Sequence, residues 1–136
     1  MIFGIGCDLC AISRMEKSLT GPHGPAFARR VFGPAERAAL GLDGPGPLTP
    51  RRTASAAADF AAKEAFLKAA GTGLAGPFAL AEIEAVRLDS GAPAYRFSGR
   101  TADWVAQRRL VAHLTLSHDG GAAMAVCLLE AAGDEN

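Results

Sequence analysis

The stretch FAAKEAFLKAAGTG, from Phe60 to Gly73, decides the fold because it ends the longest helical pattern in the chain. The pattern begins near Arg52, is rich in Ala and Leu, and predicts a helix that stops after Ala70, where two glycines follow. At 100° per residue, one stripe of this helix carries mostly apolar side chains. The stripe consists of Ala57, Phe60, Ala61, Glu64, Leu67 and Lys68.

Glu64 is the anomaly of this stripe. We expect the stripe to face the core, where a carboxylate without a compensating partner costs several kcal/mol. One interpretation is an intrahelical ion pair with Lys68, which is worth only about 0.3–0.5 kcal/mol. The other is that Glu64 is a metal ligand or a catalytic carboxylate. The spacing alone leaves both interpretations open.

Asp8 is a second candidate. The apolar run Ile2–Cys7 predicts a strand that places Asp8 at its end. A single Asp in such a position is commonly a turn residue or a helix cap. Considered together with Glu64, it suggests a magnesium site, because Mg²⁺ keeps several waters and binds only one or two carboxylates.

His118 is the third candidate. It continues the apolar face of a predicted strand, Leu110–His118, to the strand end. A histidine there is either satisfied by the adjoining turn or available to bind a phosphate or orient a nucleophile. His113 lies on the opposite face of the same strand, and we interpret it as structural.

The Cys7-Asp8-Leu9-Cys10 spacing is formally that of a redox or zinc motif. Redox pairs open a helix and zinc sites need a second pair, whereas a strand separates these two thiols. Only Cys127 remains elsewhere in the chain. We therefore expect three inert thiols and no disulfide.

The remaining segments predict helices first and a mostly antiparallel sheet afterwards, which indicates an α+β fold packed around the long helix. The predicted helices are Ser13–Leu19 with a capping box at Ser13, Ala26–Val31, Gly33–Leu40 and Thr101–Arg109. The predicted strands after the long helix are Glu82–Leu88, Ala94–Phe97, Leu110–His118 and Ala122–Leu129.

Length and composition limit the possible functions. A chain of 136 residues predicts one domain, here 1–130, with a frayed tail at 131–136. The formal net charge is zero, so no global field attracts nucleic acid or a membrane surface. No run approaches the roughly 20 apolar residues of a membrane span, and no basic segment precedes the first apolar run. These features predict a cytoplasmic protein.

Five segments, in order, resemble the holo-acyl-carrier-protein synthase family, the short single-domain 4′-phosphopantetheinyl transferases. The most specific is FAAKEAFLKAAGTG, which matches the family signature Lys-Glu-Ala-x-x-Lys-Ala-x-Gly. The other segments are GIGCDLCAISR at 4–14, FARRVFGPAE at 27–36, GAP at 91–93 and LTLSHDGGAAMAV at 114–126. The resemblance implies the family's fold and its reaction, the transfer of 4′-phosphopantetheine from coenzyme A to a serine of an apo acyl carrier protein.

The resemblance also implies roles for individual residues. Asp8 and Glu64 match the family's Mg²⁺ ligands, and Glu64, directly or through a metal-bound water, is the favoured general base. Lys68 matches a lysine expected near the pyrophosphate, and His118 matches a histidine near the coenzyme A phosphates. The turn Gly71-Thr72-Gly73 is first a helix stop and second a backbone that can approach a phosphate.

Partners follow from the same resemblance. Arg14 stands where the family presents a basic residue to the acidic carrier protein, and we place Arg29 and Arg30 in the same contact. The family forms homotrimers with the active site between subunits, and the strand Ala122–Leu129 is apolar on both faces.

Three positions depart from the family pattern: Ala11 replaces a common Glu, Asp59 a common basic residue, and Cys10 a common Val. The first two motivate an alternative, a catalytically weak or inactive member that acts as a coenzyme A-binding or carrier-protein-binding trimer.

Overall fold

One long helix lies at the centre of the computed structural model, which describes residues 1–73 and 76–133. The strands are β1 (Ile2–Ala11), β2 (Ile83–Arg87), β3 (Pro93–Phe97), β4 (Leu110–Asp119) and β5 (Ala122–Ala131). The helices are α1 (Ile12–Thr20), α2 (Gly24–Val31), α3 (Pro34–Leu40), α4 (Pro50–Ala70) and α5 (Gly99–Gln107). A short 3₁₀ turn, Leu80–Glu82, precedes β2.

The strands form two antiparallel sheets. The larger has the order β1-β5-β4, and β2 and β3 form a separate pair. The two hairpins turn where predicted: Gly91, Gly120 and Gly121 all have positive φ, a conformation that glycine adopts without strain. The α+β prediction is confirmed, with the addition that the N-terminal strand joins the C-terminal hairpin.

Helix α4 is buried on nearly all sides, because its many alanines allow other elements to approach closely. It begins at the N-cap Thr49, whose hydroxyl accepts a hydrogen bond from the Arg52 amide, and ends at Gly71 with φ 84°. One side packs on β1 and β5. Another contributes Phe66 to an aromatic cluster whose further members are Phe78, Tyr95, Phe97 and Trp104.

The prediction that one stripe of this helix faces the core is wrong. Within that stripe Ala57, Ala61 and Leu67 are buried, whereas Lys68 is exposed and Phe60 and Glu64 are only partly buried. Helical periodicity gives the angular order of side chains around the helix, but it does not show which sides are covered. Here other helices and strands cover most of the circumference of α4. The line formed by Phe60, Glu64 and Lys68 is the open one.

Two boundary predictions near the N-terminus are also wrong. Strand β1 continues to Ala11, because residues 4–11 all pair with β5, so Asp8 lies within the strand and not at its end. Helix α1 begins directly afterwards with Ala11 as N-cap and without a side-chain cap, so Ser13 forms no capping box. The continuous ladder with β5 overrides the local capping signal.

The larger sheet has one covered and one open face. The face towards α4 carries the buried residues Cys10, Ala123, Ala125, Cys127 and Leu129. Apolar side chains on the other face remain exposed: Ile5 (64%), Leu9 (66%), Val111 (49%) and Met124 (37%). Strand β5 is therefore apolar on both faces, as predicted, but only one of them is covered within the chain.

The sheet places the Cys7 and Cys10 side chains on opposite faces and His113 on the open face, as the strand pattern predicts. Cys7 is exposed and Cys10 is buried, since residues three apart on a strand lie on opposite faces, and the three cysteines are free. His113 lies on the open face, with Nε2 3.1 Å from Oε1 of Glu130. At the C-terminus the Ala131 amide donates to the Met1 carbonyl, and the last predicted tail residues, 134–136, lie outside the described residues.

Candidate active site

Asp8 reaches its position because glycines let β1 touch α4. A Cβ atom on Gly6 would lie 2.1 Å from the Ala65 carbonyl oxygen, and one on Gly4 would lie 1.9 Å from the Ala69 carbonyl oxygen. Neither distance is compatible with a side chain. The strand backbone therefore rests directly on the helix, and Asp8, two residues beyond Gly6, faces the helix surface that carries Glu64 and Lys68.

Lys68 is bonded to β1. Its ammonium nitrogen lies 3.1 Å from Oδ1 of Asp8 and 2.9 Å from the Cys7 carbonyl oxygen. The intrahelical partner considered from the sequence, Glu64, is not its hydrogen-bond partner within the described residues. The lysine thus joins the helix to the strand at the point where the two candidate carboxylates meet.

Asp8 and Glu64 line one cleft of about 340 Å³ between β1, α1 and α4. Arg14 and Ser18 add polar groups to it, and Phe60 contributes apolar wall. Burial raises the pKa of Glu64, the Asp8 carboxylate raises it further, and Lys68 partly opposes both. The two like charges beside this cleft therefore have the Lys68 ammonium and the Arg14 guanidinium as nearby cations.

This donor set suits a magnesium ion. Mg²⁺ binds one or two carboxylates and retains waters, for which the cleft has room. A bound cation would relieve the repulsion between Asp8 and Glu64 that raises the pKa of Glu64. Within residues 1–73 and 76–133, no group of three or more His, Cys, Asp or Glu side chains forms a fuller ligand cage.

The turn Gly71-Thr72-Gly73 lies one helical turn beyond Lys68 and is exposed. Gly71 and Gly73 both have positive φ, at 84° and 56°. The prediction that this segment stops the helix is confirmed. Its second predicted role, a close backbone approach to a phosphate, stays a prediction.

His118 lies in a different cleft. It is exposed, and it lines a space of about 410 Å³ together with Arg51, Ser55 and Arg87. The structure of one chain therefore does not bring His118 together with Asp8 and Glu64. Of the two arginines beside it, Arg51 belongs to a basic pair with Arg52 that the sequence shows, whereas no sequence pattern pointed to Arg87.

The three predicted carrier-protein residues are distributed along α1 and α2. Arg14 lines the cleft that holds Asp8 and Glu64. Arg29 and Arg30 are exposed in the last turn of α2, and Arg30 lines a neighbouring groove with Lys17 and His23. All three are accessible from solvent.

Sequence reasoning missed a buried ionic network on α4. The Lys63 ammonium is fully buried, contacts the Glu36 carboxylate, and donates to the carbonyl oxygens of Ile83 at 2.6 Å and Leu80 at 3.1 Å. Glu36 also accepts the Ala85 amide at 3.0 Å. These bonds hold α3, α4 and β2 together. The available signal was the alanines around Lys63, which indicate burial on every side.

Asp59, one turn before Lys63, is also buried, with 6% of its surface exposed. Burial raises its pKa to about 8, and Glu36 raises it as well, while Lys63 and Arg87 act in the opposite direction. It lines a cleft of about 560 Å³ and does not line the cleft of Asp8 and Glu64. This departure from the family pattern is therefore not part of the carboxylate site.

Comparisons with known proteins agree with this arrangement. The family model described as 4′-phosphopantetheinyl transferase superfamily matches residues 4–127. A holo-[acyl-carrier-protein] synthase of Methylobacterium is 42% identical over 100% of this chain and 99% of its own length, and one of Leptothrix cholodnii is 38% identical over 98% and 99%.

A solved structure shows the same fold. The holo-(acyl-carrier-protein) synthase of Bacillus anthracis in complex with CoA (3′,5′-ADP) is 32% identical, with a TM-score of 0.76 over 97% of this chain and 99% of that one. The matched range, residues 4–127, spans both carboxylates, Lys68 and the glycines that bring β1 against α4. The chain therefore belongs to the 4′-phosphopantetheinyl transferase superfamily, within its holo-acyl-carrier-protein synthase family.

Proposed function

We propose that the chain transfers 4′-phosphopantetheine from coenzyme A to a serine hydroxyl of an apo acyl carrier protein, with 3′,5′-ADP as the second product. The observation that carries this proposal is the cleft that Asp8 and Glu64 both line, with the Lys68 ammonium bonded to Asp8. That arrangement, in a chain whose relatives are holo-acyl-carrier-protein synthases, fits phosphoryl transfer, where positioning and charge neutralisation dominate.

The reaction forms a bond between the serine oxygen and the phosphorus that carries pantetheine, and breaks the bond from that phosphorus to the 3′,5′-ADP oxygen. The serine proton must be accepted. Glu64 lies in the cleft that Asp8 and Arg14 also line, where the serine would enter. We assign Glu64 to accept the proton, while the Lys68 ammonium stabilises charge on the leaving oxygen.

Asp8 and Glu64 would hold the Mg²⁺ ion. When bound, it neutralises charge on the diphosphate of coenzyme A. The remaining work belongs to the protein, since Arg14 and Phe60 shape the cleft in which the serine would lie.

The donor would extend from this cleft towards the exposed turn Gly71-Thr72-Gly73 and a phosphate site at His118. Arg51 and Arg87 beside His118 provide the positive charge that such a site needs. Because His118 and Asp8 lie in different clefts of one chain, we propose that the complete site forms between subunits of a homotrimer. The bare apolar face of the β1-β5-β4 sheet supports such an assembly.

The carrier protein would approach over α1 and α2. Arg14 lies in the cleft itself, and Arg29 and Arg30 lie on the exposed surface of α2. Guanidinium groups pair well with carboxylates, so an acidic partner suits this surface. A panel of apo carrier proteins from fatty acid, polyketide and other synthesis, compared by the rate of transfer, would identify the carrier protein that the enzyme serves.

One assay tests the proposal. Purified chain, coenzyme A, Mg²⁺ and an apo acyl carrier protein are mixed, and mass spectrometry follows the gain of one phosphopantetheine per carrier. We expect transfer that EDTA abolishes and that Mn²⁺ restores. Binding of coenzyme A or of the carrier protein without any transfer would instead support the alternative, a non-catalytic binding trimer. Full transfer in metal-free buffer would contradict the roles of Asp8 and Glu64.

A further inference from the structure

The Lys68 ammonium has two bonds within the described residues, and both run to β1. They join it to Oδ1 of Asp8 at 3.1 Å and to the Cys7 carbonyl oxygen at 2.9 Å. A lysine one turn after a glutamate on a helix would ordinarily pair with it. Here the ammonium lies instead at the carboxylate on the neighbouring strand.

The position of Lys68 allows it to move. Its side chain is 56% exposed, whereas that of Asp8 is 18% exposed. An exposed lysine has a flexible four-carbon stem and three donors, so it can change partners without disturbing the core. Gly71-Thr72-Gly73, the exposed turn that we assign to the donor, begins three residues further along the chain.

The charges of the site suggest what the contact between Lys68 and Asp8 does. Two carboxylates face one cleft that Arg14 also lines, and Lys68 is the cation that lowers the pKa of Glu64. A lysine in contact with Asp8 does in the free protein what a divalent cation would do in the loaded one. It also occupies Oδ1, one of the two oxygens that Asp8 could offer a metal ion.

We propose that Lys68 holds Asp8 as a stand-in cation in the free enzyme, and exchanges this carboxylate for the diphosphate of the donor when the metal site fills. This inference rests on the proposed function, because it takes Asp8 and Glu64 as the metal ligands. Lys68 is then a link between two binding events. By thermodynamic linkage, a lysine shared in this way makes metal and donor each favour binding of the other.

The test measures metal binding directly, without turnover. Electron paramagnetic resonance counts free Mn²⁺ during titration of the wild-type protein and of Lys68→Met, first without coenzyme A and then with it. Lys68→Arg keeps the charge, and Arg96→Met removes a positive charge from β3, on the separate two-stranded sheet. Circular dichroism establishes that each variant is folded.

Without coenzyme A, we expect Lys68→Met to bind Mn²⁺ more tightly than wild type, by roughly 3- to 30-fold, because a competing cation has been removed. The two controls should stay within about twofold of wild type. Coenzyme A should tighten Mn²⁺ binding in both proteins, but by a smaller factor in Lys68→Met, since the shared lysine is missing.

Two outcomes would count against the inference, and they differ from each other. Unchanged or weaker Mn²⁺ binding by folded Lys68→Met would show that the lysine merely orients Asp8, and would overturn the exchange while the metal site stands. If Glu64→Gln and Asp8→Asn left Mn²⁺ binding at the wild-type level, the metal site itself would be wrong, and the exchange would fall with it.

Discussion

At the scale of single residues, Glu64 carries a charge that the fold does not neutralise. Burial and the Asp8 carboxylate both raise its pKa, and Lys68 compensates only in part. A partly buried carboxylate whose charge is poorly compensated adds little to the stability of the fold, so we attribute its presence to function. Substitution of Glu64 therefore distinguishes a metal ligand from a residue with a purely structural role.

Glu64→Gln should lower phosphopantetheine transfer by orders of magnitude while the thermal midpoint stays constant or rises. The amide keeps the shape of the side chain but loses the charge that binds a cation, and it removes a poorly compensated carboxylate. Asp8→Asn should lower transfer in the same way. Glu16→Gln, on the exposed surface of α1, is the matched control and should leave transfer unchanged. Near wild-type transfer by Glu64→Gln would refute the metal-ligand assignment.

Asp59 differs from Glu64, because it is a buried carboxyl group whose ionisation changes the free energy of unfolding. Its pKa in the folded protein is about 8, compared with an ordinary value of 3.8, chiefly because of burial. Between these values the folded state binds more protons than the unfolded state. The contribution of Asp59 to the free energy of unfolding therefore falls as pH rises from about 4 to about 8.

Asp59→Asn should remove this dependence. We expect the variant to be close to wild type in stability near pH 4 and more stable than wild type by a margin that grows up to about pH 8. Urea unfolding at pH 4.5, 7 and 9 measures the difference. Asp103→Asn, at an exposed position of α5, serves as the control. A constant difference between Asp59→Asn and wild type across this range would contradict the assignment.

At the scale of elements, the contact between β1 and α4 places the site. The strand lies against the helix without intervening side chains, because Gly4 and Gly6 leave room for the carbonyl oxygens of α4. The alanines of α4 and the glycines of β1 act together, because small side chains on both elements allow a short distance between their backbones. Asp8, Glu64 and Lys68 are brought together by this contact.

Gly6→Ala should move the strand away from the helix. The new methyl group would meet the Ala65 carbonyl oxygen at 2.1 Å, so we expect a loss of about 1–3 kcal/mol in the free energy of unfolding. Transfer activity should fall too, since Asp8 moves with the strand. Gly44→Ala is the control: nothing lies within 4 Å of its added Cβ, and it should be neutral or slightly stabilising. Equal thermal midpoints for the two variants would disprove the close-contact argument.

At the scale of the whole molecule, the open face of the larger sheet has no cover within the described residues. Exposed apolar side chains from all three strands lie on it, including Ile5, Val111 and Met124. Contiguous apolar surface of this kind marks an interface. We assign this face to contacts between copies of the chain, because Asp8 and His118 lie in separate clefts and a shared site needs a second subunit. No described helix is long and apolar enough to cross a membrane.

Light scattering should give a mass of about three times the 14.0 kDa chain. Ile5→Asp should shift the mass towards that of one chain, because a buried carboxylate at a subunit interface lacks a partner. Transfer should fall with the assembly, since His118 and Asp8 would no longer share a site. Leu88→Asp changes an exposed side chain in the β2–β3 turn and should keep the trimer. A wild-type monomer at micromolar concentration would exclude both the trimer and the shared site.

The sequence by itself determined much of the fold and named the residues of the candidate site. The long helix that ends at Ala70, the two hairpins with their glycine turns and the family signature are local features, and each was confirmed. Local signals suffice here because glycine conformations, helix stops and strand alternation depend on a few neighbouring residues.

Only the tertiary structure decided which side chains are buried and which partners they have. A helical stripe is defined by angle alone, so the sequence placed Glu64 on the expected core face and left open whether it pairs with Lys68 or binds a metal. In the structure several elements surround α4, and Asp59 and Lys63 are buried among them. The contact with β1 makes Asp8 the hydrogen-bond partner of Lys68. The extension of β1 to Ala11 likewise required its ladder with β5, a contact between the two ends of the chain.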